Sequence, residues 1–380
     1  MKRMGIFVFY DSQGCVDDYI EVLLHSLRDI LQKIIIVVNG KVDNTGYRRL
    51  KKYATDLFVR ENMGYDAGAY KDALMAYMSN EPWENWDEIL LFNDTFYGPM
   101  HSWDNVFHVM DEKKVDFWGL SRHPKGGGKL STGEEFPSHV QAYFLVCRQS
   151  LFLSIAWKEF WDNLKYPKTY SEAVESFEIN FTKFFQEKGF QGSAFTDEMR
   201  IPVEYGKNPY LHYFRELIQN FDFPVMKRKV FCLTCLEETR KTIEYIKNNT
   251  DYDVNLLCTH VRRLCGNREI RPIEPFDSVQ LEKFYNEHER VFIYGHGAYG
   301  KGLASYFRWR GWEYDGFIVS EEKGSKKGVL VFEHMEFDSK SGIILALGKQ
   351  AFFEVYPMVK AKLDDDQLCC PPYTNSVKIV

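Results

Sequence analysis

Arg60 to Leu74 reads R-E-N-M-G-Y-D-A-G-A-Y-K-D-A-L, and Glu88 to Pro99 reads E-I-L-L-F-N-D-T-F-Y-G-P. Each segment has a short apolar run of the kind that forms a buried strand. Residues 57–59 directly precede the first segment, and residues 89–92 lie within the second. The loop after each run contains small and acidic residues, Gly64 and Asp66 in the first and Asp94 and Thr95 in the second. Because ligands of α/β sheets bind where the parallel strands end, the two segments predict a ligand site at one sheet edge.

The first of these loops joins polar residues and glycines to the start of a helix. It contains Asn62, Gly64, Asp66 and Gly68, and apolar residues at helical spacing come immediately afterwards. Glycines permit close approach of the backbone to a ligand, and the first N–H groups of a helix attract anions. We therefore expect this loop to bind an anionic ligand.

Strands and helices alternate in the chain before this loop. Apolar runs at 6–10 and 34–38 predict strands, and a helical pattern from about residue 16 lies between them. The order predicts a parallel half-sheet that binds a nucleotide. Asp11 follows the first strand, where it is expected either to contact a nucleoside or to cap the next helix.

Five motifs carry a resemblance to a known family. In chain order they are R-E-N-x-G-Y-D-A-G-A-Y, L-L-F-N-D-T-F-Y-G-P, D-F-W-G-L, H-V-Q-A-Y-F-L and F-P-V-M-K-R-K-V-F. On these motifs, residues 1–275 resemble the rhamnan synthesis F family, whose members are glycosyltransferases that build cell-wall or O-antigen polysaccharides. The resemblance implies an α/β fold of the GT-A type with a mostly parallel sheet. It also implies that Asp11, Asn62, Gly64, Asp66 and Gly68 bind a nucleotide-sugar donor.

Asn93 and Asp94 lie where GT-A enzymes usually carry a D-x-D metal motif, and the resemblance makes both donor-binding candidates. Only one carboxylate is present here. A divalent ion prefers several hard oxygen ligands. Asp94 is therefore expected either to hold Mn²⁺ or Mg²⁺ together with the donor diphosphate or to contact the donor sugar without a metal.

The resemblance also places a catalytic base at Glu178. Many inverting GT-A enzymes have an acidic residue at the start of a helix that ends in a glycine and an aromatic, and here Gly189 and Phe190 follow. Such a carboxylate takes the proton of the acceptor hydroxyl. The alternative is that Glu178, or Glu175 equally well, only begins a helix.

Further candidates come from the last two motifs. Lys227 and Arg228 are expected to neutralise the leaving diphosphate, the alternative being a solvated basic turn. His139 and Gln141 fall on the same side of a strand predicted over 139–146, so both are expected to line an acceptor groove.

A Gly-rich loop at 122–137 is expected to be mobile, as a lid or as plain surface.

Residues 276–380 predict a second, small Rossmann-like domain. A strand leads into Gly295-His-Gly297-Ala-Tyr-Gly300, a helix follows, and Glu321 lies some twenty residues further on. This is the fingerprint of a dinucleotide-binding loop in its proper context. The domain is expected either to bind a nucleotide through these residues or to serve as a docking or dimerisation module.

Composition narrows the class of protein. The net charge of −6 argues against a general nucleic-acid binder. The high aromatic share of 16% is interpreted mainly as core packing. The eight cysteines show no disulfide spacing, and the pair Cys232 and Cys235 lacks a partner pair for zinc, so reduced core cysteines are expected. No apolar run is long enough to span a membrane.

The family resemblance implies an inverting glycosyltransferase, and the composition predicts a cytoplasmic protein that is at most peripheral to the cell membrane. The basic run at 48–52 is either a solvated helix face or a contact to anionic lipid. The family implies L-rhamnose from a dTDP-sugar as donor and a lipid-linked glycan as acceptor. Two alternatives stay open, namely a nucleotide- or NAD-binding oxidoreductase or regulatory protein working through the second domain, and a non-catalytic scaffold of a polysaccharide assembly complex.

Overall fold

The structure, a computed structural model, describes residues 1–78, 82–199, 208–230, 236–264, 278–321, 328–347 and 349–370. The chain forms two compact units, Met1–Val230 with Lys241–Val261 and Phe231–Arg240 with Arg262–Val380. The predicted domain boundary at residue 275 lies outside the described residues, as do Cys232 and Cys235.

A seven-stranded sheet is the centre of the first unit. The strands of this unit are β1 Arg3–Phe9, β2 Lys33–Asn39, β3 Asp56–Arg60, β4 Glu88–Asn93, β5 Phe96–Tyr97, β6 Phe117–Gly119, β7 Arg122–His123, β8 His139–Val140, β9 Phe144–Arg148, β10 Gly192–Ala194 and β11 Met226–Lys227. The large sheet has the order β10-β6-β9-β4-β1-β2-β3. Among the described strands of this sheet, only β9 runs antiparallel to its neighbours, so the fold is mixed α/β with a mostly parallel sheet, as predicted.

The register aligns the carboxyl ends of the central strands. Val8 pairs with Val37 on one side and with Asn93 on the other, and Asn39 pairs with Arg60. β1 and β4 are buried along their whole length. Such continuous apolar strands are typical of a parallel sheet covered on both faces. Residues that follow these strands therefore meet at one edge.

Helices flank this sheet. The helices of the first unit and of the segment that follows are Asp18–Ser26, Asn44–Lys51, Tyr65–Met78, Trp83–Asn85, Trp103–Asp111, Gln149–Phe152, Ile155–Asn163, Tyr170–Ala173, Val174–Ile179, Asn180–Glu187, Phe195–Glu198, Pro209–His212, Phe214–Asn220, Leu236–Asn249 and Val254–Leu264. Aromatic residues fill the core beneath several of them, among them Trp157, Trp161, Phe177, Phe181 and Phe185.

The prediction of one strand over 139–146 is wrong. The chain forms β8, turns at 141–143, and continues as β9. β8 pairs with β7, whereas β9 joins the large sheet between β4 and β6. Gln141 breaks the strand because its backbone N–H and its side chain both bond to Ser121, at 2.9 and 2.8 Å.

The Gly-rich loop after β7 is a hydrogen-bonded hairpin. Gly126 N–H donates to the Phe136 carbonyl at 2.9 Å, and Phe136 N–H donates to the Gly128 carbonyl at 3.0 Å. Glu175 fixes the tip, since its carboxylate accepts bonds from the backbone and hydroxyl of Ser131 at 2.9 and 2.6 Å. The loop is thus held by its own backbone bonds and by Glu175, and its mobility, as a lid or as plain surface, stays a prediction.

Part of the basic run at 48–52 is neutralised within the protein. Arg49 forms ion pairs with Asp18 and Glu21, and Lys52 lies 3.3 Å from Glu21. Arg48 and Lys51 are exposed. No helix in the described part of the chain has the length and apolar character needed to cross a membrane.

The second unit contains a five-stranded, all-parallel sheet. Its strands are β12 Arg290–Tyr294, β13 Gly316–Val319, β14 Val329–Val331, β15 Ser341–Leu345 and β16 Leu368–Cys369, in the order β14-β13-β12-β15-β16. The helices are Ser278–Glu287, Ala298–Arg310, Phe332–His334 and Lys349–Lys360. The description as a Rossmann-like module stays a prediction.

The glycine loop of this unit packs closely against its own helix. A Cβ atom added to Gly300 would lie 1.7 Å from the Gly295 carbonyl oxygen, whereas one added to Gly297 meets no atom within 4 Å. Gly295 has a φ of +109°. Glu321 is exposed after β13. Two of the glycines thus have a role in the turn itself, and nucleotide binding by Gly295, Gly297, Gly300 and Glu321 stays a prediction.

Candidate functional site

A cleft of about 560 Å³ opens where β1, β2 and β3 end. It is lined by Tyr10, Asp11, Ser12, Gly40, Lys41, Val59, Arg60, Glu61 and Asn62. The two predicted donor-binding residues Asp11 and Asn62 therefore share one concave surface. Polar groups around an open cleft at this edge suit a small polar ligand.

Asp11 holds the loop after β1. Its carboxylate accepts hydrogen bonds from the backbone N–H groups of Gln13 and Cys15, at 2.9 and 3.0 Å. The following helix begins at Asp18 with Asp17 as its N-cap. The alternative prediction that Asp11 caps this helix is therefore wrong.

The turn from Asn62 to Gly68 is shaped by its own packing. Gly64 has a φ of +76°, and Cβ atoms added at Gly64 or Gly68 would each lie 2.7 Å from the ring of Tyr166. At Gly68 such an atom would also lie 2.3 Å from the Met63 carbonyl oxygen. Packing against Tyr166 is thus one reason for glycine at both positions, and donor binding by Gly64 and Gly68 stays a prediction.

Asn93 connects the end of β4 to the first turn of the helix Tyr65–Met78. Its side-chain amide donates to the Asp66 carboxylate at 2.9 Å, and its oxygen accepts from the backbone N–H and hydroxyl of Thr95 at 3.1 and 2.7 Å. Burial raises the pKa of Asp66, and the negative charge of Glu178 adds to this shift while the Asn93 bond opposes it. Asp66 and Glu178 therefore interact across the site.

Glu178 lies in an unusual part of its helix. The helical segment begins at Tyr170, and residues Val174–Ile179 form a π-helical turn within it. The alternative that Glu178 merely begins a helix is therefore wrong. Short π-helical insertions occur often at functional sites because they redirect side chains. No local sequence pattern predicts this π-helical turn.

A histidine and a lysine face the Glu178 carboxylate. His139 Nε2 lies 3.4 Å from Glu178 Oε1. Burial alone would raise the pKa of Glu178, but the hydrogen bond from His139 and the charge of Lys227 outweigh it, and the pKa falls to about 2. Glu178 is therefore ionised at neutral pH.

The two residues expected to line an acceptor groove have different surroundings. His139 is buried, with its second ring nitrogen 2.8 Å from the Pro137 carbonyl oxygen and its ring stacked on His123 at 5.1 Å. Gln141 is buried against Ser121. The expectation that both line the groove from one strand is corrected, because the strand breaks between them and only His139 contacts Glu178.

Lys227 lies on two stacked tyrosines. Its ammonium nitrogen is 4.6 Å from the ring centre of Tyr143 and 5.1 Å from that of Tyr210. Burial lowers the pKa of Lys227 to about 8, although the carboxylates of Glu178 and Asp66 oppose the shift. Electrostatic attraction thus connects Lys227 to both acids.

Arg228 is fixed on Asp94. Its Nη1 atom lies 3.1 Å from Asp94 Oδ2 and 3.0 Å from the Asp94 backbone oxygen, and its own N–H donates to the Thr95 carbonyl at 3.0 Å. Tyr19 also donates to the Asp94 backbone oxygen, at 3.2 Å. Burial raises the pKa of Asp94 to about 6, opposed by the Arg228 guanidinium. The alternative of a solvated basic turn is wrong for Arg228, whose side chain is only 18% exposed.

The polar atoms around Asp94 do not fit a divalent metal. Asp94 Oδ2 faces a guanidinium, the Asn93 oxygen is bonded to Thr95, and the Asn93 amide presents a donor. A divalent cation needs several free oxygen ligands and is repelled by a fixed cation next to its carboxylate.

Four tyrosines of this region are not among the site residues predicted from the sequence. Tyr143 and Tyr210 support Lys227, and Tyr19 contacts Asp94. Tyr70 is fully buried, and its hydroxyl has no hydrogen-bond partner among the described residues. Tyr70 and Tyr143 belong to motifs quoted above, and this membership could have identified them as site residues. Tyr19 and Tyr210 fit an ordinary apolar pattern.

Similar proteins were found by sequence and by structure. The protein y4gN of Sinorhizobium fredii, described as uncharacterized, is 25% identical over 189 residues, or 49% of this chain and 46% of that protein. The virulence protein VirA of Vibrio anguillarum is 26% identical over 181 residues, or 47% and 52%. The chain thus spans about half the length of the curated relatives it matches.

Among solved structures, a cytidylyltransferase from Leptospira borgpetersenii has a TM-score of 0.33 at 13% identity and covers 67% of this chain and 99% of its own. The mannosyltransferase Ktr4p from S. cerevisiae in complex with GDP has a TM-score of 0.29 at 8% identity, with 48% and 68% covered. The model of the family described as rhamnan synthesis protein F matches residues 34–301. Since this match covers well over half of the sequence and includes Asp66, Asp94, Glu178 and Arg228, the chain belongs to the rhamnan synthesis protein F family.

Proposed function

We propose that the protein is an inverting glycosyltransferase that moves L-rhamnose from a dTDP-activated donor onto a lipid-linked cell-wall or O-antigen polysaccharide. Family membership supports the polysaccharide and the sugar. The observation that carries the reaction class is the cluster of Glu178, Asp66 and Lys227, next to the Asp94–Arg228 pair at the edge where the cleft opens.

The donor side of such a reaction needs positive charge. As the bond to the nucleoside diphosphate breaks, negative charge grows on the bridging oxygen, and fixed cations stabilise it. Lys227 and Arg228 are adjacent residues on β11 and its continuation, and they face two different acids of the site. The cleft lined by Asp11 and Asn62 takes the nucleoside in this proposal.

The acceptor side needs a base, and Glu178 is in the ionised form that a base requires. Its low pKa makes it a weak base towards a free hydroxyl. As the acceptor oxygen bonds to the anomeric carbon, however, its proton becomes strongly acidic. Proton transfer to Glu178 therefore occurs late, once the new bond is largely formed.

The proposal is tested with purified full-length chain and a panel of nucleotide sugars. One dTDP- or UDP-sugar should raise the melting temperature, because a ligand that binds the native state stabilises it. With that donor and a suitable acceptor, Glu178→Gln should reduce turnover by roughly 10²- to 10⁴-fold.

The matched control is Glu187→Gln, since Glu187 lies at the end of the same helical segment with its side chain 64% exposed. It should leave turnover unchanged. A panel in which only NAD(H) stabilises the chain would overturn the proposal and favour a function of the second unit.

A further inference from the structure

The loop after β4 carries a carboxylate that is already bonded to a cation of the protein. Arg228 Nη1 lies 3.1 Å from Asp94 Oδ2. Asn93, the neighbouring residue, directs an N–H donor towards Asp66. A metal site would need these groups to present free oxygens to the ligand. The structure instead presents a guanidinium.

From this geometry we infer that Arg228 replaces a divalent metal ion in donor binding, and that Asp94 positions Arg228 and does not ligate a metal. The inference rests on the proposed function and specifies how the same site holds its ligand. That ligand is the diphosphate of a nucleoside diphosphate sugar. Arg228 binds it from the Asp94 side, and Lys227 binds it from the Glu178 side.

The anchoring of Arg228 fits this role. Every side-chain hydrogen bond that it makes to the described residues runs through Nη1, to Tyr19 and to Asp94. A guanidinium has five N–H donors in a rigid fork. The donors on Nε and Nη2 therefore remain for an anionic ligand, and planar bidentate contact with phosphate oxygens is the interaction that this group makes best.

The charge arrangement is the same as in a metal-bound diphosphate. In such a site a cation lies between a protein carboxylate and the phosphate oxygens, so neither anion faces the other. Asp94, Arg228 and a diphosphate would have the same order of charges, with the guanidinium of Arg228 in the place of the metal ion. The backbone bond from Arg228 N–H to the Thr95 carbonyl at 3.0 Å keeps the guanidinium next to Asp94.

Lys227 supplies the second cation. Its ammonium is held over the rings of Tyr143 and Tyr210, and the Glu178 and Asp66 carboxylates attract it. Lys227 is the last residue of β11 and Arg228 begins the turn after it, and the two side chains reach different acids. A ligand with two linked phosphates has one phosphate for each cation.

The test measures binding of dTDP, UDP and GDP to the full chain by calorimetry, once with excess EDTA and once with Mn²⁺. We expect the best-bound nucleotide to keep its affinity within about threefold in EDTA. Arg228→Gln should weaken its binding at least tenfold in EDTA. Lys229→Gln is the control, because it removes one positive charge from the adjacent position, where Lys229 bonds to Tyr170.

A double-mutant cycle separates positioning from metal binding. If Asp94 acts through Arg228, Asp94→Asn should weaken nucleotide binding in the wild-type background and have no further effect on Arg228→Gln. Should Arg228→Gln fail to fold, Arg228→Lys keeps the charge without the fork, and we expect an intermediate loss that Mn²⁺ does not restore.

Binding that requires Mn²⁺ in the wild-type chain, or an Arg228→Gln variant as tight as wild type in EDTA, would overturn the inference and leave the proposed function standing. If no nucleoside diphosphate binds under either condition, the proposed function itself fails.

Discussion

At the scale of single residues, Lys227 carries a charge that is sensitive to pH just above neutrality. Burial lowers its pKa to about 8, so the ammonium is present at pH 7 and largely lost at pH 9. A nucleoside diphosphate is fully ionised across this range, since phosphate releases its second proton near pH 6. The affinity of the chain for dTDP should therefore fall as the pH rises above 8, by up to about tenfold per pH unit.

Lys227→Arg provides the comparison, because a guanidinium stays charged throughout this range. Calorimetric titrations between pH 7 and pH 9.5 should show a steep decline for wild type and a nearly flat profile for the variant. An equally steep decline in Lys227→Arg would assign the pH dependence to another group.

Sequence reasoning found most of the charged residues of the site and little of how they interact. Asp66, Asp94 and Arg228 are predicted because they lie in quoted motifs, and Glu178 because a helix ending in Gly189 and Phe190 follows it. The contact of His139 with Glu178 joins residues far apart in the chain, and it arises only after β8 has left the main sheet. Such pairs depend on tertiary packing, which local spacing does not encode.

At the scale of elements, the helix after the glycine loop of the second unit is fitted tightly to β12. A methyl group at Gly300 would lie 1.7 Å from the Gly295 carbonyl oxygen, so backbone has to move. Gly302 lies two residues further along the same helix, and a Cβ there meets no atom within 4 Å. We expect Gly300→Ala to lower the free energy of unfolding of this unit by about 1–3 kcal/mol.

Gly302→Ala should have the opposite effect, a gain of up to about 1 kcal/mol, because alanine favours the helix. Calorimetric unfolding of both variants checks the pair. Equal destabilisation by both substitutions would show that the helix tolerates no added methyl group, and a stable Gly300→Ala would show that the helix is not held against Gly295.

The predicted elements agree with the structure where a strand is buried on both faces. β1, β2 and β4 each contain a continuous apolar run, and their parallel order follows from the helices between them. The prediction failed over 139–146, where an apolar segment divides between two sheets. The π-helical turn around Glu178 was also missed, since no residue type in Val174–Ile179 distinguishes it from an α-helical turn.

At the scale of the whole molecule, Glu178 connects the stability of the fold to pH in the acid range. Its pKa is about 2 in the folded chain against an ordinary value of 4.5, because the His139 hydrogen bond and the Lys227 charge outweigh burial. A depressed carboxyl pKa stabilises the native state fully above pH 4.5, and this contribution is lost as the pH falls towards 2. The shift corresponds to a stabilisation on the order of 3 kcal/mol.

Replacing this carboxylate by a neutral amide removes the titration. Glu178→Gln should therefore melt at a lower temperature than wild type at pH 6, and its melting temperature should fall less steeply between pH 4.5 and 2.5. Thermal unfolding followed by circular dichroism at half-unit pH steps measures both slopes. Glu187→Gln, with its exposed side chain, should follow the wild-type curve. Parallel acid slopes for wild type and Glu178→Gln would mean that His139 and Lys227 do not hold this carboxylate in solution.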